Sequence, residues 1–100
     1  MTITRIDEGG KVTLKLDGWL DTVAAPQLGE AMDTVTEASE LILDLETVEY
    51  IASSGIRQIV ACYRKAREMG ASFCVIHVAP EVMSIFEMTG MDRKIDIRPM

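Results

Sequence analysis

Hydrophobic and polar positions alternate along this chain with two periods, and the switches between them mark out its elements. Residues 3–7 and Lys11-Val12-Thr13-Leu14-Lys15-Leu16-Asp17 flank Glu8-Gly9-Gly10, and the second run alternates polar and apolar with period two. That pattern predicts a β-hairpin with one face buried. Gly18 is expected to break the strand, and Trp19-Leu20-Asp21-Thr22 to lead into a helix over residues 24–37, where Leu28, Ala31, Met32 and Val35 recur at helical spacing. Pro26 is acceptable only in a first turn, and Asp21 or Thr22 is a plausible N-cap.

Leu41-Ile42-Leu43-Asp44-Leu45 is a short, nearly continuous apolar run, the signature of a strand covered on both faces. Its carboxylate is the anomaly. Asp44 must find hydrogen-bond donors or reach a surface, because an unpaired buried charge is costly; backbone amides of a following loop would satisfy it, and a direct part in ligand binding is the alternative. Ile56, Ile59, Val60, Tyr63, Ala66 and Met69 then fall on one helical face, and Gly70 with Arg64, Lys65 and Arg67 suits the end of that helix. Ser72-Phe73-Cys74-Val75-Ile76-His77-Val78 predicts another buried strand. Pro80 opens a third helix with inward positions Val82, Ile85, Phe86 and Thr89, capped by Gly90, and Ile95-Asp96-Ile97 is a candidate edge strand. Helices returning the chain between buried strands imply an α/β fold, a mostly parallel sheet with an antiparallel hairpin strand at one edge.

Between the second apolar strand and the second helix lies Tyr50-Ile51-Ala52-Ser53-Ser54-Gly55-Ile56-Arg57. Two hydroxyls, a flexible glycine and the free amides of a helix start meet there, in a loop expected over residues 46–53 beyond the carboxyl end of a parallel strand. These are the ingredients of a phosphate-handling or switchable surface. An ordinary N-cap at Ser53 or Ser54, worth about 1 kcal/mol, would also explain the serines; residue types leave both readings open.

Composition narrows the partners. One hundred residues, 48% hydrophobic, suffice for one domain over 1–100 with a core of its own, and the chain is expected to be a complete small protein. A formal net charge of -6 argues against a nucleic acid held by phosphate contacts. Cys62 and Cys74, without a CxxC and with His77 as the sole histidine, are expected to be buried thiols in a reducing compartment. With no signal-peptide core and no membrane-spanning run, a cytoplasmic location is expected. Enzyme templates fit poorly: Ala52-Ser53-Ser54-Gly55 lacks the first glycine of a nucleophile elbow, and there is no GxxxxGK[ST], GxGxxG or HExxH. No enzyme, cofactor or metal centre is expected.

Leu41-Ile42-Leu43-Asp44-Leu45, Val48 and Tyr50-Ile51-Ala52-Ser53-Ser54-Gly55-Ile56 together resemble the central motif of STAS domains, the bacterial anti-sigma-factor antagonists. Gly18-Trp19-Leu20-Asp21 resembles the family's turn after the second strand, and Phe86-Glu87-Met88-Thr89-Gly90-Met91-Asp92 its last-helix signature. The resemblance covers nearly the whole chain and implies a four- to five-stranded mixed sheet with helices mainly on one side. It also implies a regulator, monomeric or weakly dimeric, that binds a serine kinase of the histidine-kinase-like ATPase type doubling as an anti-sigma factor. A serine phosphatase would be a further partner.

By position the phosphorylated residue would be Ser53, with Ser54 beside it, and the partner surface would include Ser53, Ser54, Gly55, Arg57 and Asp21. Some family members bind nucleotide weakly, which would map to Asp21, Asp44 and Ser53. Two positions depart from the pattern: Ala52 stands where sigma-regulating members usually carry aspartate, and Arg57 where several have glycine. A constitutive adaptor, or a subunit of a larger signalling or lipid-transport assembly without a phosphoswitch, is the alternative the resemblance allows.

Overall fold

The computed structural model describes every residue, Met1–Met100. Five strands form one sheet: β1 (Thr2–Glu8), β2 (Lys11–Leu20), β3 (Glu40–Ile51), β4 (Ser72–Val78) and β5 (Asp96–Pro99). Among them lie α1 (Ala25–Asp33), α2 (Ser53–Glu68), α3 (Pro80–Thr89) and a 3-10 turn at Met91–Arg93. β1 is antiparallel to β2, and every later neighbour pair is parallel. The mixed, mostly parallel sheet with a hairpin strand at its edge is the one the apolar pattern predicts.

Strand order and chain order coincide, β1-β2-β3-β4-β5, and this decides where the helices go. Parallel crossovers are right-handed by strong preference, and successive crossovers advancing in one direction lay their helices on the same face. Leu28 and Met32 of α1, Ile59, Cys62 and Ala66 of α2, and Val82 and Phe86 of α3 accordingly join Leu14, Leu43, Leu45 and Val75 in one buried cluster. The opposite face carries no helix. Ile42, Asp44 and Glu46 point to it from β3, alternating with Leu41, Leu43 and Leu45 of the core. No helix is long and apolar enough to cross a membrane.

Several boundaries depart from the pattern, each for a visible reason. β2 does not break at Gly18: the glycine takes φ +118 and stays paired with Val48 between two register shifts, each with its extra residue on β3, after which Leu20 pairs with Ile51 and returns to the core. β3 continues past Leu45 to Ile51, so residues 46–51 are strand rather than loop, held by buried Val48 and Ile51 and by Thr47 Oγ1 donating to the Leu16 carbonyl (3.1 Å). α1 stops at Asp33 because the Thr34 hydroxyl donates to the Ala31 carbonyl (2.6 Å) while Arg5 donates to the Thr34 carbonyl (3.0 Å). Val35 still reaches the core, from the loop. On α2 the fully buried line is Gly55, Ile59, Cys62 and Ala66, while Ile56, Val60, Tyr63 and Met69 pack along its half-buried edge. Ile85 is only half-buried and Thr89 exposed; the Thr89 hydroxyl bonds back to the Ile85 carbonyl (3.0 Å).

Cys62 and Cys74 are free and buried, as expected. Burial pushes the Cys62 thiol up from 9.0 to about 11. As pH rises through 9 the unfolded thiol ionises first, the folded state holds the extra proton, and stability falls until the pH passes about 11. At about 1.36 kcal/mol per unit this one group withdraws roughly 2–3 kcal/mol. Chemical denaturation of wild type and Cys62→Ala from neutral to strongly alkaline pH tests it: the variant is expected to lose less stability across that window, and parallel profiles would refute a buried, proton-holding thiol.

Candidate functional site

β2 and β3 finish side by side at the Leu20–Ile51 pair, and each leads into a helix. Asp21 Oδ1 accepts from the amides of Val23 (3.1 Å) and Ala24 (2.9 Å). It thus caps the turn ahead of α1, whose own N-cap position falls at Ala24 without a side-chain bond. Thr22, the other candidate cap, bridges instead to the second helix: its hydroxyl lies 3.1 Å from Ser54 Oγ. Asp21, Thr22, Ser53 and Ser54 therefore share one corner of the molecule.

Neither serine is the N-cap of α2. Ala52, extended at φ -86 and ψ 166, holds that position and offers no side-chain acceptor. Ser53 and Ser54 are already the first helical residues, where a hydroxyl no longer reaches the amides of its own first turn. The amides of Ser53, Ser54 and Gly55 have no helical carbonyl one turn back to bond, so the helix start carries partial positive charge. Ser53 is exposed there and Ser54 half-buried.

Gly55 sets how close this corner sits to the sheet. A Cβ at Gly55 would lie 2.5 Å from the Leu20 carbonyl oxygen and 2.8 Å from Leu20 Cγ. The same carbonyl accepts the Ala52 amide (3.0 Å), so the first turn of α2 is seated directly on the end of β2. Arg57, one turn beyond Ser53, is exposed and joins none of the chain's ion pairs.

The apolar part of this surface escaped the sequence reading. Trp19 and Tyr50 pack at a tilt of 59° with centroids 5.6 Å apart, and with Val23 they are among the large apolar side chains most open to solvent. The signal was available: Trp19 and Tyr50 each precede a core residue, Leu20 and Ile51, so strand alternation turns them outward.

Asp44 does not join this corner. Its Oδ1 accepts the Glu46 amide (3.0 Å) and meets His77 Nδ1 (3.0 Å) on the helix-free face. A backbone amide therefore satisfies Oδ1, and the imidazole lies against the same oxygen. None of the four surface cavities is lined by Asp21, Asp44 or Ser53.

A model of the STAS domain family matches residues 2–100. The anti-sigma-B factor antagonist of Listeria monocytogenes is 28% identical over 83 residues, which cover 81% of this chain and 73% of that protein. An anti-sigma factor antagonist from Mycobacterium paratuberculosis superimposes with a TM-score of 0.83 at 27% identity, over 99% of this chain and 86% of that one. The Bacillus cell fate determinant SpoIIAA in its phosphorylated form shares the fold, with a TM-score of 0.74 at 17% identity over 96% of this chain and 90% of that one.

The seat at Gly55 is open to test. Gly55→Ala forces its new methyl into the Leu20 backbone and is expected to lower stability in urea unfolding by about 1–3 kcal/mol. Amide shifts should spread through residues 50–57. An unperturbed spectrum would mean that the helix start is not held against β2.

Proposed function

This chain belongs to the STAS domain family, and from that premise we propose that it is an anti-sigma-factor antagonist switched by phosphorylation of Ser53. Its partner surface in this reading comprises Ser53, Ser54, Gly55, Arg57 and Asp21, extended by Val23, Trp19 and Tyr50. The partner is a serine kinase of the histidine-kinase-like ATPase type that doubles as an anti-sigma factor, and a serine phosphatase reverses the mark. The protein works by binding rather than catalysis. One observation carries the reading: Ser53 is exposed at the first position of α2, uncapped, in the corner where Thr22 and Ser54 meet.

The physics of such a switch favours the interface over the fold as its target. A phosphate adds about -1.5 to -2 charges, which the free amides and dipole of a helix N-terminus tolerate. Ala52 leaves those amides uncontested, and Arg57 lies on the same side one turn away. An acidic group on a docked partner has no such compensation. One like-charge contact at about 6 Å with an effective dielectric near 20 costs roughly 3 kcal/mol, enough to weaken a complex about a hundredfold. SpoIIAA, which shares this fold, is known in a phosphorylated form.

Incubation with the cognate kinase and ATP is expected to add one phosphate to wild type and none to Ser53→Ala. In a pull-down from the native host, Ser53→Asp should release the kinase that wild type and Ser53→Ala retain. Phosphate surviving Ser53→Ala, or a partner held equally by Ser53→Asp, would remove the switch and leave a constitutive adaptor.

A further inference from the structure

On the helix-free face, three side chains with no part in the phosphoswitch converge. One potential ligand atom from each of Asp44, Glu46 and His77 lies within 4.8 Å of the other two, with His77 Nδ1 3.0 Å from Asp44 Oδ1 and 3.7 Å from Glu46 Oε2. We propose that Asp44, Glu46 and His77 form a binding site for a first-row divalent transition ion, of which Zn2+ is the type.

The backbone is shaped to bring them together. Val75 and Val78 both enter the core although they are three residues apart, and the β4–β5 register shifts between them. The β3–β4 ladder ends at Asp44–Ile76, and His77 follows at φ +57, the one residue other than glycine with positive φ. This bulge turns the imidazole from the ladder onto the carboxylates of β3. Bulges re-aim side chains in this way, and a strained conformation persists only where its surroundings hold it.

The arrangement suits a ligand shell better than a pair of hydrogen bonds. Both carboxylates approach the same ring nitrogen, which has at most one proton to donate, whereas two hydrogen-bonded carboxylates would be served by one nitrogen each. Ligand atoms at about 2.0–2.2 Å from a tetrahedral ion lie about 3.3–3.6 Å from one another, near the 3.0 and 3.7 Å that separate His77 Nδ1 from the two carboxylates. Two carboxylates and a neutral imidazole carry two negative charges, matched by a divalent cation, and the nitrogen donor favours transition ions over Mg2+ or Ca2+. The Glu46 amide bonded to Asp44 Oδ1 orients that ligand from behind. Lys15, opposite Asp44 on β2, makes no ion pair with it. The His77 and Glu46 side chains are 47% and 52% exposed, which leaves the remaining coordination position open to water or to a side chain of a bound partner.

Calorimetric titration of the full chain, free of any polyhistidine extension, with ZnCl2 tests the site. One ion per chain is expected, with affinity in the micromolar range or tighter, and Co2+ should give a visible d–d band that Zn2+ displaces. His77→Ala and Asp44→Asn should each weaken binding about tenfold or more. His77→Asn, which tolerates the left-handed backbone, provides a folded control that should lose binding likewise. Cys74→Ser and Ser53→Ala should bind as wild type does. Absence of binding, binding that survives His77→Ala, or binding lost with Cys74→Ser would overturn the proposal.

Discussion

The right-handed crossover, repeated in one direction from β2 to β5, leaves one face of the sheet fully packed and the other without a helix. A doubly wound sheet reverses its strand order and opens a crevice where it does so. This sheet never reverses, and its strand ends offer no crevice of that kind. Function must therefore be sought on surfaces: at the corner where two strands hand over to two helices, and on the uncovered face. Both candidate sites in this chain lie in those places.

The corner depends in turn on one close approach. Because Gly55 has no side chain, α2 starts against the Leu20 carbonyl, and that carbonyl receives the Ala52 amide. The helix start is pinned to the end of β2, while Thr22 ties the approach to α1 to Ser54. Ser53 thus stands on a rigid base without being buried by it. A phosphate added to an exposed hydroxyl at that position would change the surface and need not disturb the 24 core residues beneath.

Much of this was legible in the sequence. The strands, their mainly parallel pairing and the helices between them followed from apolar periodicity, because each buried face imposes its own period on the chain. The errors fell where local rules met tertiary pairing. Gly18 looked like a break and stays in the ladder opposite Val48, because β3 continues alongside and its bulge brings Ile51 opposite Leu20. Ser53 and Ser54 looked like caps and are not, because Ala52 takes the extended conformation at the junction. His77 looked like an ordinary strand residue; nothing local signals that a shift in the β4–β5 register turns it toward Asp44 and Glu46, which lie more than thirty positions earlier in the chain.

Strand β3 carries both candidate sites, with Asp44 and Glu46 near its middle and Tyr50 and Ile51 at the end from which α2 departs. At about 3.3 Å per residue, Asp44 and Ile51 are separated by roughly 20 Å. The Debye length at physiological ionic strength is about 8 Å. A phosphate at Ser53 and a cation at His77 are therefore screened from one another, and charge alone will not couple them. Any communication would have to pass through the backbone of β3. That strand is fixed on the packed side by Leu41, Leu43 and Leu45, so the two proposed sites share one scaffold without electrostatic coupling.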